Sequence, residues 1–141
     1  MAMEQLHVKV ANIFCTFHFG RSIDLEALGR AAGQQYQPGR FRYLKLRLCG
    51  ATLLVYGNGK VICSGAKSME TVGRAASSLE DILLMDFDYG VVLASPPEVR
   101  NVVASGTTGY QIDLAKLSQM DRQASWEPEL FCGLKFTLSR T

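Results

Sequence analysis

Phe41-Arg42-Tyr43-Leu44-Lys45-Leu46-Arg47-Leu48-Cys49-Gly50-Ala51-Thr52-Leu53-Leu54-Val55-Tyr56-Gly57-Asn58-Gly59-Lys60-Val61-Ile62-Cys63-Ser64 is the stretch on which the fold turns. It contains three alternating runs, Phe41 to Leu48, Thr52 to Tyr56 and Lys60 to Ser64. Cys49-Gly50 and Gly57-Asn58-Gly59 separate them, and both are hairpin turn signals. Side chains alternate between the faces of a strand. Leu44, Leu46, Leu48, Leu53, Val55, Val61 and Cys63 therefore share one face. Tyr43, Lys45, Arg47, Thr52, Leu54, Tyr56, Ile62 and Ser64 share the other, with Lys60 at its rim. That second face mixes cations with large apolar groups. Water alone does not call for Leu54, Tyr56 and Ile62, and a core does not call for Lys45 and Arg47.

The surrounding stretch, Ala27 to Met69, has no acidic residue but carries Arg30, Arg40, Arg42, Lys45, Arg47, Lys60 and Lys67. The next segment reverses the sign, with Glu70, Glu80, Asp81, Asp86, Asp88 and Glu98 against Arg74 alone. The whole chain has a net charge of only +2, so the distribution is informative where the total is not. At 141 residues and 48% apolar composition it is long enough for one substantial core or two small ones.

Before the hairpins, His7 to Phe19 reads as a strand, with Val8, Val10, Asn12, Phe14 and Thr16 on one face and Ala11, Ile13, Cys15 and Phe17 on the other. Both faces are largely apolar, which predicts that both are covered. Asp24 is placed to cap a short helix with Leu25, Leu28 and Ala31 or Ala32 inward. After the hairpins Ser68 is placed to cap a longer helix, whose stripe is Val72, Ala76, Leu79 and Leu83. Pro96-Pro97 is expected to close the unit.

The pattern then begins again. Asn12-Ile13, Gly20, Ile23-Asp24-Leu25 and Leu28 recur 89 positions later as Asn101-Val102, Gly109, Ile112-Asp113-Leu114 and Leu117. Tyr36, Pro38, Phe41, Leu44-Lys45 and Leu48 recur 90 positions later as Trp126, Pro128, Phe131, Leu134-Lys135 and Leu138. One inserted residue accounts for the change. The expected division is a complete first repeat at 1–97 and the N-terminal part of a second at 98–141. The second is expected to be poorly packed alone, or to complete itself against another chain through an open strand edge, as in a homodimer.

Cys15, Cys49, Cys63 and Cys132 lie far apart without a Cys-x-x-Cys pair, and His7 and His18 match no zinc spacing. The expectation is reduced, mostly packed thiols, no metal and no cofactor. No carboxylate cluster or nucleophile triad stands out, which points away from an enzyme. There is neither a signal peptide pattern nor an apolar run long enough to span a bilayer, so no membrane partner is expected.

Four motifs, in this order along the chain, resemble the TATA-box-binding protein family. They are Val10-Ala11-Asn12-Ile13, Tyr36-x-Pro38-x-Arg40-Phe41, Gly59-Lys60-Val61-Ile62-Cys63-Ser64-Gly65-Ala66-Lys67-Ser68 and Ser125-Trp126-Glu127-Pro128-Glu129-Leu130-Phe131. The resemblance implies an α+β fold, in which tandem repeats form a curved antiparallel saddle with helices on its convex side. It implies a nuclear protein of transcription initiation that binds the minor groove of A·T-rich double-stranded DNA through its concave face, with aromatic wedges at base steps.

Carried over by position, Asn12 and Asn101 fall where the family hydrogen-bonds base edges, and Phe14 and Val103 where it sets valines against bases. Phe41 with Tyr56 matches one wedge pair, beside Leu54. Ile62 and Ser64 match the concave floor, and Phe131 matches half of the second wedge pair. Arg40, Arg47, Lys60 and Lys67 are the implied phosphate contacts. Glu127, Glu129 and Leu130 match the loop offered to the B-type general transcription factor. The helix after Ser68 is acidic here, unlike the basic one through which the A-type factor would be met. An interaction module that binds partner factors with little DNA binding is the alternative. On pattern alone, Phe14, Leu54, Tyr56 and Ile62 also suit a sheet covered on both sides, and the basic stretch suits a solvated face.

Overall fold

The computed structural model describes residues 7–86 and 95–138. These form two compact units, Val8–Gly106 and a smaller one that holds the described residues from Thr107 on. Asp88 of the acidic segment lies outside the described residues.

In the larger unit the chain runs β1 (His7–His18), α1 (Leu25–Ala32), β2 (Tyr43–Leu48), β3 (Ala51–Tyr56), β4 (Lys60–Ala66), α2 (Met69–Asp86) and β5 (Ser95–Thr107). The strands make one sheet in the order β2-β3-β4-β1-β5. The pairings β2/β3, β3/β4 and β1/β4 are antiparallel. Cys49 and Gly50 take φ of 54° and 83°, the two left-handed positions of a two-residue hairpin turn. Leu48 therefore faces Ala51, and the register runs without slip to Tyr43 opposite Tyr56. Gly59, at φ 96°, closes the next turn with its N–H on the Tyr56 carbonyl at 3.0 Å. A Cβ there would stand 2.3 Å from the Arg21 carbonyl oxygen, so the position demands glycine.

Across β2, β3, β4 and the second half of β1 one sheet face is covered. Leu44, Leu46, Leu53, Val55, Val61, Cys63, Cys15 and Phe17 are buried together with Leu25 and Leu28 of α1 and Val72, Ala75, Ala76, Leu79 and Leu83 of α2. Each such leucine or valine contributes about 1.5–3 kcal/mol relative to exposure. The helices start as the sequence predicts. Asp24 Oδ1 accepts the Ala27 N–H at 3.1 Å, and Ser68 Oγ accepts the Thr71 N–H at 3.2 Å. Ala32, not Ala31, is the alanine of α1 that leans on the core.

Several expectations change. β1 is buried on one face only, and only in its second half: Ile13, Cys15 and Phe17 go in, Ala11 stays exposed, and Asn12, Phe14 and Thr16 are half-exposed. Apolar character on both faces recorded what the strand can carry, and both helices lie on one side. Pro96 and Pro97 do not close the unit but lie inside β5. β5 is an edge strand and the two prolines stand at its beginning, where missing N–H groups cost the ladder least. The thiols divide evenly: Cys15 and Cys63 are buried, Cys49 and Cys132 exposed. Cys49 is exposed because it forms the turn. Cys15 and Cys63 face each other across β1 and β4. Burial and the neighbouring Cys15 push the Cys63 thiol up to about 11.

The smaller unit contains α3 (Leu114–Met120) and the two-residue strands β6 (Ala124–Ser125) and β7 (Lys135–Phe136), paired antiparallel. The recurrence of the β2 pattern at Leu134-Lys135 and Leu138 yields only the two residues of β7. None of the described residues from Thr107 on is buried. No helix among the described residues is long and apolar enough to cross a membrane.

Candidate nucleic-acid interface

The uncovered face of the five-stranded sheet is ordered in rows by the strand register. Lys45, Leu54, Ile62 and Thr16 form one row across β2, β3, β4 and β1. Arg47, Thr52 and Ser64 form the next, and Arg47 Nη1 donates to Thr52 Oγ1 at 3.4 Å. Leu54, Tyr56, Ile62, Ser64 and Phe14 are all half-exposed, so the face is apolar yet open. The bland alternative, a second buried layer, is absent on this face of the described unit.

At one end Phe41, Tyr43 and Tyr56 make a row of rings. Phe41 and Tyr43 have centroids 5.3 Å apart, and Tyr43 and Tyr56 5.8 Å. Arg40 lies over the Phe41 ring at 5.2 Å. The backbone N–H groups of Arg40 and Phe41 both donate to the Gln37 carbonyl, a turn that presents Phe41 at the start of β2. Tyr43 was read onto this face but not into the site. Its signal was available: the two-residue turn at Cys49-Gly50 dictates that Tyr43 lies opposite Tyr56.

Asn12 has a definite role. β4 gains one residue against β1 between Ile13 and Cys15, a bulge at Ser64-Gly65 with Gly65 at φ 81°. Asn12 Oδ1 accepts the Gly65 N–H at 2.6 Å. With its oxygen engaged, the amide presents its NH2 group as the free polar end.

Arg40, Arg47, Lys60 and Lys67 are all exposed, as are Arg42 and Lys45. Among the described residues none of them takes part in a salt bridge; the ion pairs are Arg30–Glu26, Arg74–Glu70 and Arg100–Glu98. The basic stretch therefore retains its charge for an outside anion. Asn101 and Val103 are exposed on β5, in the same sheet. Arg100 Nε ties β5 to β1 by donating to Thr16 Oγ1 at 2.9 Å.

Phe131, Glu127, Glu129 and Leu130 belong to the smaller unit and are exposed there. The Glu127 carbonyl accepts from the Leu130 and Phe131 N–H groups, the same turn that Gln37 makes with Arg40 and Phe41. Trp126 Nε1 donates to the Cys132 carbonyl at 3.2 Å. Among the described residues no group of His, Cys, Asp and Glu is placed to hold a metal ion.

The sequence model of the family described as transcription factor TFIID, or TATA-binding protein, matches residues 7–85 and 96–141. The chain belongs to the TATA-box-binding protein family. The TATA-box-binding protein of Pyrobaculum islandicum is 36% identical over 136 residues, which cover 93% of this chain and 67% of that protein. That of Archaeoglobus fulgidus is 32% identical over 143 residues, 96% of this chain and 76% of its own. The solved Methanococcus jannaschii TBP superposes with a TM-score of 0.76 at 31% identity, covering 94% of this chain and 77% of that one. The family match establishes the α+β fold with an antiparallel sheet, and a DNA-binding transcription factor rather than an enzyme. These relatives are archaeal, from cells without a nucleus, so they carry action on DNA but not a nuclear location.

Proposed function

We propose that this TATA-box-binding protein family member binds the minor groove of A·T-rich duplex DNA through the open face of its five-stranded sheet, in transcription initiation. The observation that carries the reading is the asymmetry of the sheet across β2, β3, β4 and the second half of β1: one face closed by both helices, the other open, apolar and flanked by unpaired cations. The A·T minor groove offers only acceptors, and guanine adds a donor. The NH2 group of Asn12, left free by the bond from Gly65 to its oxygen, is complementary to those acceptors and mismatched with the guanine donor. Phe14, Leu54, Ile62 and Ser64 supply the floor against the sugar and base edges, and exposed Asn101 and Val103 are the proposed contacts from the second repeat.

Phe41 and Tyr56 are the proposed wedge pair, with Phe131 as a wedge of the second repeat. Bending the duplex costs about 1–6 kcal/mol, which inserted rings and a wrapped apolar face must offset. Arg40, Arg47, Lys60 and Lys67 attract phosphates without regard to sequence. Exposed Glu127, Glu129 and Leu130 suit a basic partner, here a B-type general factor. The repeats are assigned to residues 1–97 and 98–141. Location follows the DNA, the nucleus in a cell that has one. The exposure of both β5 and the smaller unit favours a second reading, an interaction module that meets another protein chain or a second copy.

A salt titration with A·T-rich and G·C-rich duplexes tests the proposal. Wild type is expected to prefer A·T DNA over a salt-sensitive background. Phe41→Ala should lose preference and bending together, and Lys60→Ala should weaken binding to all sequences and flatten the salt slope by about one unit. Equal affinity for both duplexes, unchanged by Phe41→Ala, would leave charge attraction alone and favour the interaction module.

A further inference from the structure

Beside the ring row, a cavity of about 470 Å³ opens between β2 and the segment before it, lined by Gln35, Gln37, Phe41, Tyr43, Lys45 and Arg47 among others. Its volume is in the range of small-ligand sites, about 300–1,000 Å³. We infer that this cavity is a binding site for one unstacked nucleotide of single-stranded DNA, at the end of the open face and sharing Phe41 and Arg47 with it.

Three chemistries converge there. The rings of Phe41 and Tyr43, tilted by 32° at 5.3 Å, form a platform of the kind on which bases stack regardless of identity. Gln35 and Gln37 bring exposed amides, each a donor and an acceptor, within reach of a base edge. Lys45 and Arg47 stand exposed and outside any salt bridge among the described residues, available to the flanking phosphates. Inside a duplex the faces of a base are covered by its neighbours, so a ring platform beside amides suits a base that has left the stack.

The second copy of the motif is an internal control. Its equivalent cavity is about 120 Å³ and is lined by Ser125, Glu127, Leu130, Phe131, Gly133 and Lys135. At the positions 90 residues on, Gln35 is replaced by Ser125, Gln37 by Glu127, Tyr43 by Gly133 and Arg47 by Thr137. The Phe131 ring lies over Gly133, so close that a Cβ there would meet it at 2.7 Å. The same turn thus builds a small, charge-balanced dent with Glu127 and Lys135 in one copy and a larger, basic, ring-walled cavity in the other. The chemistry of the first is therefore not a by-product of the turn.

The test is fluorescence anisotropy of a labelled short single-stranded oligonucleotide, with a free mononucleotide and a blunt duplex of the same sequence as competitors. Tyr43→Leu, which keeps an apolar strand residue, is expected to reduce single-strand affinity about tenfold, one stacked base. Gln37→Glu, an exposed change that copies the second motif, should reduce it severalfold while the ratio of A·T to G·C duplex affinity stays at its wild-type value. Thermal unfolding of both variants verifies the fold. Single-strand affinity untouched by both substitutions would overturn the inference, as would a free mononucleotide that does not compete at all. The single-strand readout is separate from the duplex ratio, so loss of one leaves the other standing.

Discussion

Two copies of one pattern sit in this chain, and the comparison between them separates what short sequences encode from what layers provide. Gly20 and Gly109 both take φ 76°. Asp24 and Asp113 cap their helices with the same bond, Oδ1 to the third residue on, at 3.1 Å in each. Gln37 and Glu127 close the same turn beneath Phe41 and Phe131. Local geometry is reproduced at each of these positions, though α1 ends on left-handed Gly33 and α3 on extended Asp121. Burial has not: Leu28 is fully buried, and its equivalent Leu117 is half-exposed. In the larger unit β3, β4 and α2 supply the rest of the core, and no counterpart of them occurs among the described residues after Thr107. Caps and turns are satisfied by neighbours in sequence; a leucine is buried only by another layer.

The sharpest way to break this comparison is to delete the equivalent leucines. Leu28→Ala should cost about 2–5 kcal/mol in denaturant unfolding, as expected for a fully buried leucine. Leu117→Ala should cost below about 1 kcal/mol. Equal losses would mean that Leu117 is buried in solution and that the second copy has a core of its own.

The asparagines give a smaller, more specific contrast. Asn12→Ala leaves the Gly65 N–H at the bulge without its partner, which should cost about 1–3 kcal/mol. Asn101→Ala removes no side-chain hydrogen bond found among the described residues and should be close to neutral. Asn12→Asp sharpens the comparison further. It retains an acceptor for Gly65 but replaces the free NH2 group by a carboxylate oxygen. Stability should largely survive while any preference for A·T over G·C duplexes is lost. A stable Asn12→Asp variant that still prefers A·T DNA would remove Asn12 from the reading surface.

Much of this was legible before the structure, for identifiable reasons. A two-residue turn at Cys49-Gly50 admits one register, so Leu44, Leu46, Leu53 and Val55 had to share a face, and they are all buried. The stripe from Val72 to Leu83 is read within one helix and needs no knowledge of what it packs on. The misreadings have a common cause. Whether Phe14 and Thr16 are covered depends on where helices far along the chain lie, and both lie on the other side. Pro96 and Pro97 punctuate a chain in most contexts but are tolerated here at the beginning of an edge strand. The bond between Asn12 and Gly65 spans 53 positions and requires a one-residue bulge, which alternation cannot reveal. Of the candidate site, the open face and its cations were readable from pattern, while the bridging role of Tyr43 followed from the register but was not drawn.

The helix caps yield the smallest effect and the finest test. Asp24 and Asp113 make the same hydrogen bond, with φ of −76° and −81° and ψ of 102° and 99°, so the local energy removed by alanine should be about 1 kcal/mol in each case. What differs is where that energy appears. α1 is joined through Leu25 and Leu28 to the main core, so it opens with that core and Asp24→Ala should lower the global unfolding free energy by the full amount. α3 has no buried residue and is expected to open locally at less than the global free energy. Asp113→Ala should then leave the global midpoint in place and instead raise the exchange rate of the Lys116 amide, which the Asp113 carboxylate holds, about fivefold to tenfold. An equal shift of the global midpoint by both substitutions would show that α3 unfolds together with the main core. The difference in layers between the two copies would then not divide their stability.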